Sequence, residues 1–244
     1  MAGDSIPERL LDALYPTICN LCHHRFLQSQ SPFTGICRSC LQQLPIRKGE
    51  ERLIRLRASE DDRLTAICAC YYEGAIRRSL IRMKFSDAPE ACEAFAALLA
   101  DAIQRTVRLP GGCAVAAVPL HPLRERERGY NQAALIAGAL ARRLLLPDFS
   151  GGLSRHRRTG RQSELKTLPE RRDNVSNAFF VTNPTLFFGR HILLVDDILS
   201  TGATILSARE ALLQAGASSV LPVAVASGES KMTKGHSLNT DSEK

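Results

Sequence analysis

Hydrophobic positions in the second half of the chain alternate between short apolar runs and stretches with helical spacing. Residues 114–118 and 191–196 are dominated by apolar side chains, which is typical of strands buried on both faces of a sheet. Residues 131–145 and 203–215 repeat apolar side chains every three or four positions, which indicates helices. Because strands alternate with helices, we predict an α/β fold with a mostly parallel sheet and helices on both faces.

The same patterning divides the chain into regions. Residues 1–44 form a separate N-terminal region, 45–63 a charged connecting segment, and 64–227 the main α/β domain. The tail at 228–244 is polar and poor in apolar residues, so we expect it to be disordered. Further elements are predicted as helices at 6–15, 75–84 and 88–107, and as strands at 64–72, 152–155, 178–182 and 219–226.

Composition and charge restrict the class of protein. A chain of 244 residues can bury one α/β core and a small appendage. The formal net charge of +7 favours an anionic partner, without choosing between a phosphorylated small molecule and nucleic acid. There is no apolar run of about 18 residues, which predicts no membrane span, and the acidic, proline-broken beginning is unlike a signal peptide. We therefore expect a cytoplasmic protein whose cysteines stay reduced.

Four cysteines near the N-terminus have the spacing of a metal site. Cys19 and Cys22 form one Cys-x-x-Cys pair, and Cys37 and Cys40 form a second. Two such pairs bring four thiolates to one tetrahedral point, which suits structural Zn²⁺ and predicts a small ribbon-like zinc finger. The alternative is a set of unliganded or redox-active thiols.

Two acids and a polar turn follow the strongest predicted strand. Asp196 and Asp197 end the apolar run, and the turn into the next helix supplies three hydroxyls and a glycine: Ser200, Thr201, Gly202 and Thr204. The N–H groups at a helix N-terminus, approached through a glycine, suit a phosphate. Adjacent carboxylates suit the hydroxyls of a ribose, or the Mg²⁺ that a diphosphorylated ribose brings. We therefore predict a pocket for a phosphorylated ribose; the alternative is a plain strand–turn–helix in which Asp197 or Ser200 caps the helix.

A second polar segment follows the strand predicted at 114–118. It contains His121, Arg124 and Arg128, at the edge of the sheet where α/β proteins bind their ligands. Arginine binds phosphates through paired hydrogen bonds, so we predict that this loop binds pyrophosphate. The alternative is a solvated turn in which arginines and glutamates partly cancel.

The segment at 155–174 is basic and polar and shows no clear period. Long segments of this kind inside a compact domain are usually either functional or disordered. We predict a lid that closes over the phosphorylated substrate and excludes water from it. The alternative is a disordered basic loop on the surface.

Residues 191–204 resemble the signature of the type I phosphoribosyltransferases. The resemblance implies a type I phosphoribosyltransferase-like sheet. It implies that Asp196 and Asp197 contact the ribose hydroxyls, and that backbone N–H groups of the turn hold the 5′-phosphate. The turn residues assigned in this way are Leu199, Ser200, Thr201, Gly202, Ala203 and Thr204.

Several ordered motifs narrow the resemblance to the ComF family. The stretch at 118–132 is similar to the family's first motif, and Lys84 lies where the family has a lysine after a tyrosine-led segment. The family's second motif is matched, within the predicted lid, by Thr159, Gln162, Leu165, Arg171 and Asn174. ComF proteins are phosphoribosyltransferase-like, carry a cysteine-rich N-terminal finger and are linked with competence and the use of external DNA. The resemblance implies the same for this chain.

Two functions from different classes follow. The first is a phosphoribosyltransferase that uses a 5-phosphoribosyl diphosphate-like substrate with Mg²⁺ and an acceptor that no residue identifies. The second is a non-catalytic interaction protein that binds single-stranded DNA or a competence helicase through its basic loops. A third hypothesis is a scaffold protein with a vestigial site. The intact acid pair disfavours it. The sequence leaves open whether catalysis occurs.

Overall fold

The computed structural model describes residues 17–27, 35–57, 63–85, 89–155 and 178–228. The predicted helix at 6–15 and the tail beyond Gly228 lie outside these ranges. Among the helices that the structure describes, none combines the length and the apolar character needed to cross a membrane.

Strands and helices alternate through most of the described chain. The strands are β1 (Thr17–Ile18), β2 (Arg25–Phe26), β3 (Leu53–Arg57), β4 (Arg63–Tyr71), β5 (Cys113–Ala117), β6 (Leu153–Arg155), β7 (Phe179–Val181), β8 (His191–Leu199) and β9 (Ser219–Ser227). The α-helices are α1 (Arg38–Gln42), α2 (Gly74–Phe85), α3 (Ala91–Thr106), α4 (Pro122–Arg128), α5 (Gln132–Leu144) and α6 (Ala203–Gln214). Short 3₁₀ turns lie at Gly49–Arg52, Ser150–Gly152 and Pro184–Leu186.

The central sheet has the strand order β3-β4-β9-β8-β5, in which only β3 runs antiparallel to its neighbour. Its register places the end of β8 beyond the end of β5. Val195 pairs with Ala117, the last residue of β5, whereas on the other side the pairing continues through Leu199 to Ser227 of β9. Asp196 and Asp197 therefore lie at the carboxyl edge of the sheet, beyond the last pair with β5, where ligands of such sheets bind.

Two apolar cores cover the two faces of the sheet. Along each central strand, alternate residues point to opposite faces. Val115 and Leu193 face a core formed with helices α2, α3 and α5, whereas Ala116 and Leu194 face a core formed with α6 and the β6–β7 pair. The predicted α/β class, with a mostly parallel sheet and helices on both faces, is confirmed.

The segment at 45–63 does more than connect two regions. It contributes β3, which pairs with β4 along the edge of the sheet, for example Leu56 with Leu64. Leu56 is buried in the core on the α6 side, and Ile54 packs against the same core. The alternation of these apolar residues with Arg55 is the pattern of a half-buried strand, which the density of charge in the segment obscured.

The predicted pyrophosphate loop contains a helix, α4. Pro122 occupies its first turn, where a fixed φ and a missing N–H carry no penalty, and the side chain of His121 accepts a hydrogen bond from the N–H of Leu123. Gly129 ends it in the left-handed conformation, with φ of 84°. Our sequence prediction of a loop was wrong here, because the alternating arginines and glutamates show no apolar period.

Candidate functional site

The two acids at the end of β8 are held in fixed positions by backbone donors and a lysine. The N–H of Asp197 donates to Oδ1 of Asp196 over 2.9 Å, and the N–H of Ile198 donates to Oδ1 of Asp197 over 2.8 Å. Nζ of Lys84, from the last turn of α2, lies 2.6 Å from Oδ2 of Asp197. Both side chains of this ion pair are mostly buried, with 23% and 12% of their surface exposed. The pair joins α2 to the end of β8.

Within the described part of the chain, Asp196 forms no salt bridge of the kind that Lys84 makes with Asp197. Burial, and then the negative charge of Asp197, raise the pKa of the Asp196 carboxyl to about 8. A bound cation or a set of ligand hydroxyls would favour its ionised form. The acid pair thus favours a ligand that brings positive charge or hydrogen-bond donors.

We expect Asp196→Asn to stabilise the ligand-free protein at alkaline pH. The pKa of about 8 in the folded state exceeds the value of about 4 for an unfolded aspartate. The free energy of unfolding of the wild type therefore falls as the pH rises from about 4 to about 8, because the folded protein holds a proton that the unfolded chain has lost. Asparagine does not ionise and removes this decline. In thermal unfolding from pH 5 to 9, the melting temperature of Asp196→Asn should exceed that of the wild type by an amount that grows with pH. Asp101→Asn, at an exposed ion pair, should have the same pH profile as the wild type. Parallel profiles for wild type and Asp196→Asn would contradict the assignment.

The turn after the acids leads into the N-terminus of α6. Gly202 precedes the helix in the left-handed region, with φ of 80°. A Cβ at this position would lie 2.8 Å from Cδ2 of Leu56, so strand β3 packs directly beneath the turn. The hydroxyl of Thr201 accepts a hydrogen bond from the N–H of Ala203 over 3.4 Å, and Ser200, Thr201, Ala203 and Thr204 are exposed. The first N–H groups of a helix lack partners within it, so the turn has the geometry of an anion cradle.

Helix α4 places two arginines in a cleft that Lys84, the partner of Asp197, also lines. Arg124 and Arg128 lie one turn apart and therefore on the same helix face. With Lys84, Phe85 and Glu127 they line a cleft of about 580 Å³. The guanidinium of Arg128 lies 5.7 Å from the ring centre of Phe85. Among the three predicted pyrophosphate residues, the arginines face this cleft, and His121 uses Nδ1 to cap α4.

The residues after α4 fasten it to the sheet. The side chain of Asn131 accepts a hydrogen bond from the N–H of Ala133 and donates one to the carbonyl of Val118, just beyond β5. The hydroxyl of Tyr130 donates to the carbonyl of Met83 over 2.6 Å. These contacts explain why a tyrosine and an asparagine follow the arginines: they orient α4 relative to β5 and α2.

From the sequence, Arg155 was expected only as the first residue of the lid segment, and the pairing of Lys84 with Asp197 was not expected. Burial and the charge of Arg124 lower the pKa of Arg155, and the charge of Asp196 opposes them, which places its guanidinium among the site charges. The predicted lid residues Thr159, Gln162, Arg171 and Asn174 lie outside the described residues. Arg155 carries no local signal, because its role depends on strands that are distant in sequence.

The four predicted cysteine ligands converge at one point. All four sulfurs of Cys19, Cys22, Cys37 and Cys40 lie within 4.8 Å of one another. The N–H of Cys37 donates to Sγ of Cys19, and the N–H of Cys40 to Sγ of Cys37, both over 3.4 Å. Burial alone would raise the pKa of Cys19, but backbone donors outweigh it and lower the pKa to about 7. These distances and donors fit a metal ion such as zinc bound by thiolates.

The cysteine finger (residues 17–27 and 35–44) is docked on the α/β domain. Leu21, between the first two cysteines, is buried in the same core as Ile76 and Leu80 of α2. The hydroxyl of Ser79 donates to the carbonyl of Asn20 over 3.2 Å, and Arg82 donates to the carbonyl of Leu21. The finger and the last turns of α2 thus form one packed unit.

Comparison with known proteins shows what this architecture is similar to. The model of the phosphoribosyl transferase domain matches residues 131–238. DNA utilization protein YhgH of Escherichia coli (strain K12) is 34% identical over 142 residues, which cover 57% of this chain and 61% of that protein. Competence protein F of Haemophilus influenzae is 37% identical over 103 residues, covering 42% and 44% of the two chains.

A solved structure, the glutamine phosphoribosylpyrophosphate amidotransferase of Bacillus subtilis, is 18% identical with a TM-score of 0.42, over 68% of this chain and 32% of its own. This chain spans about three-fifths of the length of the YhgH relative. The phosphoribosyl transferase match covers the end of β8, and the relatives bear the names that the sequence motifs indicated. The chain is thus similar, over part of its length, to DNA utilization protein YhgH and competence protein F, in agreement with the resemblance that the sequence motifs indicated.

Proposed function

We propose that this chain binds 5-phosphoribosyl diphosphate with Mg²⁺ at the carboxyl end of β8, and that the site supports phosphoribosyl transfer. One observation carries the proposal. The acid pair and the N-terminus of α6 follow β8, the two arginines follow β5 at the same carboxyl edge of the sheet, and Lys84 both pairs with Asp197 and lines the cleft of the arginines. These are the groups that a ribose, its 5′-phosphate and its diphosphate need. The names of the relatives suggest that the protein takes part in competence or in the use of external DNA.

Each residue set has a distinct task in this proposal. Asp196 and Asp197 accept hydrogen bonds from the ribose hydroxyls, and the turn at 199–204 holds the 5′-phosphate through N–H groups. Arg124 and Arg128 stabilise the charge on the departing diphosphate as the bond from the anomeric carbon breaks. Positioning and charge suffice for such a transfer, because the acceptor supplies the electron pair for the new bond.

Two metals belong to the proposal. Mg²⁺ is usually held by substrate phosphates and one or two carboxylates, and Asp196, with its raised pKa, would favour such a cation beside it. Zn²⁺ would be held by the four cysteines and would stabilise the fold of the finger.

Replacing both acids tests the proposed site. We expect Asp196→Asn/Asp197→Asn to weaken binding of 5-phosphoribosyl diphosphate by about 100-fold or more, because hydrogen bonds to charged groups contribute about 1.5–3 kcal/mol each. Calorimetric titration in Mg²⁺ measures this, with Asp101→Asn as the control. Arg124→Ala/Arg128→Ala should weaken the binding of 5-phosphoribosyl diphosphate and leave the affinity for ribose 5-phosphate nearly unchanged. Metal-loaded wild type that binds neither ligand would overturn the proposal.

The exposed ring of Phe85 favours a second candidate, binding of single-stranded DNA. Its side chain is 77% exposed beside Arg128 and Lys84, so the cleft offers a stacking surface among cations. Such binding could serve DNA uptake directly or together with a helicase. The same variants separate the two functions. DNA binding should weaken with salt and with Arg128→Ala but not with Asp196→Asn, whereas binding of 5-phosphoribosyl diphosphate should weaken with either substitution.

A further inference from the structure

Helix α2 contacts the cysteine finger along its side and the candidate site at its end. The finger contacts come from Ser79 and Arg82, which donate to the carbonyls of Asn20 and Leu21. These two carbonyls belong to the only residues between Cys19 and Cys22. A metal ion that fixes this pair of cysteines therefore also fixes the acceptors on which α2 rests.

The last turn of the same helix organises both halves of the site. Met83 accepts the hydrogen bond of Tyr130, which leads into α5, and Lys84 pairs with Asp197 over 2.6 Å. Phe85 lies against Arg128 of α4. Ser79 and Lys84 are five positions apart in the helix, which corresponds to a rise of about 7.5 Å. A small displacement of the helix would therefore change the distance of 2.6 Å between the charged atoms of Lys84 and Asp197.

We propose that Ser79 and Arg82 are positioning residues that couple metal binding at the cysteines to the geometry of the Lys84–Asp197 pair, and thereby to ribose-phosphate affinity. The effect on affinity rests on the proposed function; the effect on the ion pair does not. The coupling is reciprocal, since two ligands that favour one arrangement of α2 strengthen each other equally. The finger is then a support for the site as well as a stable fold.

Hydrogen exchange on the full chain tests the coupling without a ribose ligand. Removal of metal by a chelator should raise exchange at 83–85 and 196–199 clearly more than in β5. With metal bound, Arg82→Ala should show the raised exchange already, and Arg82→Lys should restore part of the protection. Arg78→Ala, an exposed arginine on the same helix, is the matched control and should behave as wild type. Unchanged exchange at 83–85 after metal removal, or equal loss of protection in β5, would overturn the coupling.

A second experiment measures the affinities for the ribose ligand and for zinc. Arg82→Ala should keep its metal content yet bind 5-phosphoribosyl diphosphate about tenfold more weakly, as expected for one charged hydrogen bond. In wild type, saturation with this compound at constant Mg²⁺ should raise zinc affinity by a similar factor in chelator competition. Equal zinc affinity with and without bound ligand would overturn the inference. If wild type binds no ribose phosphate but the exchange result holds, the proposed function fails and the coupling to the ion pair stands.

Discussion

Replacing Cys37 with serine is expected to release the metal and to destabilise the protein by at least about 3 kcal/mol, because metal binding in small cysteine sites contributes on the order of 10 kcal/mol to folding. Cys37 is buried and caps the N-terminus of helix α1, and its sulfur lies 3.7 Å from the sulfur of Cys22. Serine keeps nearly the same size, so the loss reports on ligation and not on packing. Zinc content by emission spectroscopy and urea unfolding measure the two effects.

The proper control for Cys37→Ser is Cys92→Ser. Cys92 is a half-buried thiol on α3, outside the four-sulfur cluster. It should keep full metal content and lose about 1 kcal/mol or less. If Cys37→Ser retained its zinc, or lost zinc without loss of stability, the cysteines would not form a structural metal site.

Lys84→Met is expected to destabilise the fold by about 2–3 kcal/mol. The substitution leaves the carboxylate of Asp197 buried without its cation, which costs about 3–5 kcal/mol at a fully buried pair, and less here because both side chains retain some exposure. Urea unfolding near pH 7 measures the loss.

A second substitution identifies the cause of that loss. Lys84→Met/Asp197→Asn should recover much of the stability, since the buried charge is gone, while Lys48→Met, at an exposed lysine, should have little effect. If the double variant were no more stable than Lys84→Met alone, the loss would come from packing of the lysine stem and not from the ion pair.

The parts of the molecule that follow from local sequence patterns were predictable. The apolar run before Asp196, the glycine and hydroxyls of the turn, and the two Cys-x-x-Cys pairs each have a physical reason within a few residues of chain. Helix α4 escaped prediction because its stabilising features are caps, at His121 and Gly129, and not an apolar face. Strand β3 escaped because charge outnumbered its alternating Ile54 and Leu56.

The remaining site features depend on tertiary contacts. Lys84 and Asp197 come together only because α2 ends at the carboxyl edge of the sheet, beside β8. The docking of Leu21 against α2 likewise depends on the packing of two regions that local patterning separates. The residue types thus indicated the class of ligand, whereas the contacts that hold the site in place could be seen only in the folded structure.

The pairing of β4 with β9 also sets the order in which the protein can fold during its synthesis. Ile67 pairs with Val223, near the opposite end of the described chain. The cysteine finger and α2 leave the ribosome early and can pack together, with metal, while most of the sheet is still being made. Until β9 has been synthesised, the edge of β4 that pairs with β9 stays unpaired, and an unpaired strand edge can pair with another chain. The finger–helix unit adjoins β4 in the chain, and β9, the last strand among the described residues, pairs with it to close the centre of the sheet.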